Sequence, residues 1–365
     1  MNIRPKQFLS PNISQELSLS LESDCDKITH LLPIKVTPVY DTYWQFACER
    51  QKVYFNRLNE SPLPWTDDPI INVHKFTNAY RASDRVSQYL IKNVIYRSDL
   101  PSSDEEVFFR TILFKLFNKI ETWELLEHTL GAITYKDYKF EVYDSILKQA
   151  MKNGGRIYSA AYIMPPGSKA FGYPQKHQNH LSLLQKMMSD QLPKQLSNTK
   201  KMQQAFELIK SYPTIGDFLA YQFVTDINYS EITDFSEMEF VVPGPGARDG
   251  LRKCFKDHAG FSEPELIRLM ADRQEEEFER LGINFKSLWG RQLQLIDCQN
   301  LFCEVDKYSR IAHPNIAGIS GRTRIKQKYS YTGPIEIPWF PPKWQINDKI
   351  EHFIDQTSRK VDKLL

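Results

Sequence analysis

Five carboxylates crowd one connection of this chain: Asp226, Asp234, Glu237, Glu239 and Asp249. Two turn-forming stretches lie beside them, Tyr212-Pro213-Thr214-Ile215-Gly216 and Val242-Pro243-Gly244-Pro245-Gly246-Ala247-Arg248. The first amides of a helix have no intrahelical acceptor and sit at the positive end of its dipole, so they attract phosphate. A carboxylate beside such a phosphate would face the attached sugar or base. There it would stabilise a cationic sugar or activate a water, the chemistry that breaks a glycosidic bond.

The second stretch reads as an anion cradle. Gly244 and Gly246 let the backbone approach a ligand, and Arg248, Arg252 and Lys253 follow in the next helix. It lacks the Gly-Lys-Ser/Thr ending of a nucleoside-triphosphate loop, and no Walker-type motif occurs elsewhere in the sequence.

Further polar residues are candidates for contact with a base or a backbone. Gln299 and Asn300 can pair bidentately with a base edge, or be buried amides satisfying main-chain groups. Arg81, Asp84 and Arg85 form one end of a polar helix face and would line a cleft. Arg322, Arg324, Lys326 and Lys328 alternate with neutral residues, so an extended chain would present all four on one side. Such a strip would touch phosphates without reading sequence. Cys298 and Cys303 lack metal-ligand spacing, and His177, His180 and His313 are scattered, so no metal and no cofactor is expected.

Helices must position these groups. The first turn is the tip of a hairpin. A helix over 199–211 carries Ala205, Leu208, Ile209 and Tyr212 at helical spacing and stops at Pro213. Gly216 is expected to supply the turn, and Asp217 to cap the next helix, 217–227. Upstream, the pattern predicts helices from Tyr40, over 76–96, over 106–130 ending at Gly131, over 139–152 and over 179–192. Downstream it predicts 246–256, 263–281 and 299–309, then extended segments and turns. The stretch 156–178 reads as irregular.

The composition suits a globular protein: 365 residues, 25% charged and 41% hydrophobic, with a net charge of +2. Aromatic residues make up 13% of the chain, which fits a helical core first and base-stacking surfaces second. Five cysteines without a CxxC pair, no leader and no apolar run of ~20 residues lead to the expectation of a cytoplasmic protein with no membrane span.

The hairpin resembles that of the helix-hairpin-helix DNA glycosylases, whose turn reads Leu-Pro-Gly-Val/Ile-Gly. Thr214 stands here where that pattern has its first glycine. The resemblance implies that the hairpin residues Thr214 and Gly216 hold DNA, which the cradle residues Gly244, Gly246, Arg248 and Lys253 and the strip residues Arg322 and Arg324 would join. It places a catalytic carboxylate between residues 234 and 249, with Glu239 ranked first, then Asp234, then Asp249. Phe218 occupies the position of the lysine that strand-cutting members use, which implies base removal without strand cleavage.

A closer resemblance spans about residues 40–345. It rests on PWTDDPI, FTNAYRASDRVSQYLI, FRTILFKLFNKIETWELL, GDFLAYQFVTDINYS, FVVPGPGARDGLRKCF, LWGRQLQLIDCQNLFCEVDKYSR and WFPPKW. Together these resemble the helical domain of the 5-hydroxymethyl-deoxyuridine (5-hmdU) DNA kinases, associated with hypermodified thymine in phage DNA, and also stand-alone anti-phage glycosylases. Without a nucleoside-triphosphate loop, base phosphorylation is not expected.

The expected fold is therefore mainly α, a two-lobed helix-hairpin-helix DNA glycosylase-like architecture with little strand. It comprises an N-terminal extension at 1–36, a helical domain at 37–345 and a helical tail at 346–365. The expected function is a monofunctional DNA glycosylase that flips out and excises a hydroxymethylated or glycosylated pyrimidine from phage DNA, in anti-phage defence. Arg81, Asp84, Arg85, Gln299 and Asn300 would form its base pocket. Its partner would be double-stranded DNA with modified bases, and the protein a monomer. The rivals are a base-tailoring enzyme of thymine hypermodification and a non-catalytic module that binds modified DNA.

Overall fold

The computed structural model describes residues 34–161, 164–331 and 333–361, so most of the expected N-terminal extension lies outside the described residues. The fold is mainly helical. Among the described residues its strands are β1 (Lys35–Val36) and β2 (Phe255–Asp257), paired antiparallel with Lys35 opposite Asp257.

The first helix, α1 (Pro38–Leu58), starts where the Thr37 hydroxyl accepts from the Val39 amide and Pro38 fills the first turn. Tyr43, Trp44, Phe46, Ala47 and Val53 are buried along it. After α2 (Pro69–Val73) comes a single 3₁₀ turn, Arg81–Ser83. The next helix, α3 (Arg85–Tyr89), runs on into a π-helical turn, Leu90–Ile95. The helix expected over 76–96 thus begins only at Arg85. Side chains claim the main chain before it: Arg50 donates to the Phe76 and Thr77 carbonyls, and the Asp84 carboxylate accepts from the Asn78 amide at 2.8 Å.

The expected 106–130 helix is two helices, α4 (Asp104–Phe117) and α5 (Ile120–Leu130). Asn118, in the left-handed region at φ 48°, ends the first. Then follow α6 (Phe140–Lys152), α7 (Ser168–Phe171), α8 (Lys176–Ser189), α9 (Leu192–Ser197), α10 (Met202–Lys210) and α11 (Asp217–Ile227). These helices gather about α4, which packs against α8, α9 and α11.

The second group gathers about a long helix, α15 (Leu295–Ala312), which packs against α1, α2, α12 (Pro245–Cys254) and α13 (Glu263–Asp272). The predicted 263–281 helix is interrupted at Arg273, and its second part is α14 (Gln274–Arg280). The predicted 299–309 helix starts earlier, because Gln294 and Asp297 close a reciprocal capping box. Helix α16 (Asn347–Val361) ends the described chain.

Helices α12 and α15 cross closely. A methyl group on Gly250 would lie 2.1 Å from the Phe302 carbonyl oxygen, so only glycine fits there. No helix among the described residues is long and apolar enough to cross a membrane.

Candidate nucleic-acid interface

The hairpin α10–α11 forms as its sequence predicts, but its turn residue differs. The Ile215 amide donates to the Tyr212 carbonyl at 3.2 Å, and the left-handed backbone belongs to Thr214, at φ 71°. Gly216 has φ −93° and caps α11 in an ordinary extended conformation. Asp217 is the first helical residue and pairs with Lys210 at 2.8 Å.

Gly244 caps α12 in the same way, with Pro245 behind it. Neither helix start is capped by a side chain. The two starts are neighbours: a methyl on Gly244 would lie 2.9 Å from Cδ2 of Phe218, in the first turn of α11. Gly246 is pressed as closely on Cys303, where a methyl would lie 3.0 Å from Sγ. Two positive helix ends therefore lie side by side, and each favours an anion.

Gln299 lies beneath them, wholly buried on α15. Its Nε2 donates to Cys303 Sγ at 3.3 Å and lies 3.8 Å from the Gly244 methyl position, while its Oε1 has no partner among the described residues. Asn300 is half-buried on the same helix.

Of the ranked carboxylates, Glu239 and Asp234 are exposed and Asp249 is buried. Asp249 Oδ1 accepts from the Ser320 amide at 2.9 Å. Burial pushes its carboxyl up, but bonds from Ser320 and Ile319 and the charge of Arg322 outweigh this and leave it below the usual value. The assignment of Lys253 to DNA contact is corrected. It is buried between α12 and α15, with Nζ 2.9 Å from Asp306 Oδ1 and donating to the Asp306 carbonyl. Arg248 is half-exposed and pairs with Glu263 at 3.2 Å. Arg322, Arg324, Lys326 and Lys328 are all exposed, and so are Thr323 and Gln327, so the expected strict alternation is not met; only Ile325 and Tyr329 of this stretch pack inward.

The expected base pocket does not assemble as one wall. Arg85 points outward to Glu121 of α5. Asp84 is held by the Asn78 amide, with burial pushing its carboxyl up to about 7. Arg81 is fully buried. Its guanidinium reaches Asp226 at 2.8 Å, Gln222 Oε1 at 3.1 Å and the Tyr229 hydroxyl at 2.8 Å, and its amide donates to Asp297. Asp226 also meets Lys115 of α4 at 3.1 Å. Burial lowers Lys115 to about 8 despite that partner, and raises Asp297 to about 7.

Sequence reasoning missed this ionic centre. Its signal was there: Lys115 and Asp226 each interrupt an apolar helical run, ILFKLF and FVTDI, where a charge needs a partner. Glu237 was singled out as a carboxylate, but its burial against Arg291 at 3.2 Å was missed, as was the Arg291 guanidinium stacked 3.8 Å over Trp344. Among the described residues no cluster of side chains is set to hold a metal ion.

Comparison with known proteins bears on the chemistry. Residues 37–318 match the helical domain of 5-hmdU DNA kinase. The 5-hmdU DNA kinase of Bacillus phage SP10 is 26% identical over 286 residues, covering 74% of this chain and 45% of that protein. The chain thus spans less than half the length of that relative. No solved structure matches. These matches correct the expected activity. The relative is named for transfer of phosphate, not for hydrolysis of a base–sugar bond, so the glycosylase reading falls, and with it the hydrolytic duty given to Glu239, Asp234 and Asp249. Neither rival reading fits the kinase better.

Proposed function

Because this chain belongs to the family of 5-hmdU DNA kinase helical domains, we propose that it serves in phosphorylation of 5-hmdU in DNA and acts on the substrate side of the transfer. The adjoining starts of α11 and α12 carry this reading. They lie in contact and neither is capped by a side chain, the buried Gln299 amide lies 3.8 Å from the Gly244 methyl position, and the charge of Arg322 at the start of the ribbon reaches Asp249 of α12. That arrangement suits a DNA phosphate and leaves the base free to be presented. The sequence lacks a nucleoside-triphosphate loop, so the donor phosphate is handled by a unit other than these helices.

The test compares duplexes that differ only in carrying 5-hmdU or thymine, titrated with the full chain at fixed salt. Tighter, salt-sensitive binding to the 5-hmdU duplex is expected. Nucleosides from cells holding 5-hmdU DNA should also gain the mass of one phosphate when the chain is expressed together with a nucleoside-triphosphate-binding kinase unit. Equal affinity for the two duplexes, or loss of base from the modified one, would overturn the proposal.

A further inference from the structure

We propose that Asp249 is a positioning residue that fastens the basic ribbon 322–328 beside the helix start at Gly244, so that ribbon and helix start grip one DNA backbone. The inference rests on the reading that this chain engages DNA. Asp249 lies one turn and a half beyond Gly244 on α12, 2% exposed. Its carboxylate accepts from the Ser320 amide, with the Ser320 hydroxyl and the Ile319 amide adding to the contact. Gly318 packs directly on it: a methyl there would lie 3.0 Å from the carboxyl carbon. An acid this enclosed, with its oxygens bonded to Ile319 and Ser320, is committed to holding that segment.

Further along, the ribbon is fastened by other groups. Arg310 Nη1 donates to the Arg324 carbonyl at 3.0 Å, and Asp306 holds Arg310 in turn. The Lys75 amide donates to the Gln327 carbonyl, and the Tyr329 amide to the Val73 carbonyl. Each of these contacts uses a peptide group of the ribbon. The side chains of Arg322, Arg324, Lys326 and Lys328 form no ion pair among the described residues and face solvent, as a phosphate-binding track requires. Of these fastenings Asp249 is the one carried by α12 itself, the helix that Gly244 starts, so it couples the track to that helix start.

The test uses the full chain and a 5-hmdU duplex, and measures the dependence of affinity on salt. Changing the four ribbon cations to Gln should flatten the log–log slope by about 3.6 units. Asp249→Ala should flatten it by about 1 to 2 units and open the ribbon to trypsin, with helical content retained. Gly318→Ala, which breaks the same contact from the ribbon side, should do likewise, and the double variant should be no worse than either single. On the four-Gln background Asp249→Ala should change nothing more. If the four-Gln variant loses its slope while Asp249→Ala and Gly318→Ala keep the full slope, Asp249 holds nothing that DNA uses. Additive losses on the four-Gln background overturn the inference too. If the unaltered chain binds no DNA at all, the functional reading itself has failed.

Discussion

Gly244 and Phe218 meet across two helix starts: the Cδ2–Cε2 edge of the ring fills the space that a side chain at residue 244 would need, 2.9 Å from its methyl position. This contact brings the starts of α11 and α12 together. Gly244→Ala should push the ring aside and part them. DNA affinity is expected to fall about tenfold, equivalent to ~1.4 kcal/mol, in a fluorescence-anisotropy titration. The far-ultraviolet circular dichroism should stay unchanged, and unaltered affinity would show that the two starts act separately.

Gly250 and Gly216 should respond in opposite ways. Gly250→Ala drives a methyl into the Phe302 carbonyl, with backbone on both sides. A loss of at least 1–3 kcal/mol is expected from urea unfolding. Nothing lies within 4 Å of the Gly216 methyl position, and its φ suits any residue. Gly216→Ala should hold stability or raise it by up to about 1 kcal/mol.

The ionic centre makes a third prediction. Asp226→Ala would leave Arg81 and Lys115 buried without the carboxylate they share. Removing one member of such a group costs about 3–5 kcal/mol. A midpoint of unfolding close to that of the unaltered protein would show that water or rearrangement replaces the carboxylate.

Stability should also depend on pH through Asp84 and Asp297. Burial raises both to about 7, above the unfolded value. The folded state therefore holds protons that the unfolded chain has released. The stability they contribute is complete below about pH 4 and is lost as pH rises to about 7. Asp297→Asn removes one of these protons. The difference in stability between the unaltered protein and Asp297→Asn should shrink steadily from pH 4.5 to 7.5 in denaturant titrations. A difference constant over that window would mean that Asp297 is ionised throughout.

Much of this architecture could be read from the chain, for identifiable reasons. Pro213 and the spacing of Ala205, Leu208 and Ile209 located the hairpin, and Gly244-Pro245 located the next helix start. Periodicity does not say which neighbour a helix faces, so Lys253 passed for a surface cation although α15 covers it. Nor does it reveal that Arg50 and Asp84 occupy the main chain of 76–78, which delays α3. The turn itself was credited to Gly216, yet Thr214 adopts the left-handed backbone. The reaction was the least legible part. Helix starts that hold a phosphate look alike whether the neighbouring chemistry breaks a glycosidic bond or adds a phosphoryl group. The acids that suggested hydrolysis were the surface charges Asp234 and Glu239, and an Asp249 bonded to the main chain of the ribbon.

The link from Lys115 to Asp226 to Arg81 also fixes alignment. Apolar faces tolerate a helix slipping along its neighbour, since one oily contact replaces another. Were α4 to shift one turn, ~5.4 Å, along α11, Lys115 would leave its carboxylate and be stranded in hydrocarbon. A chain that collapsed out of step would thus carry a penalty that greasy packing alone does not impose.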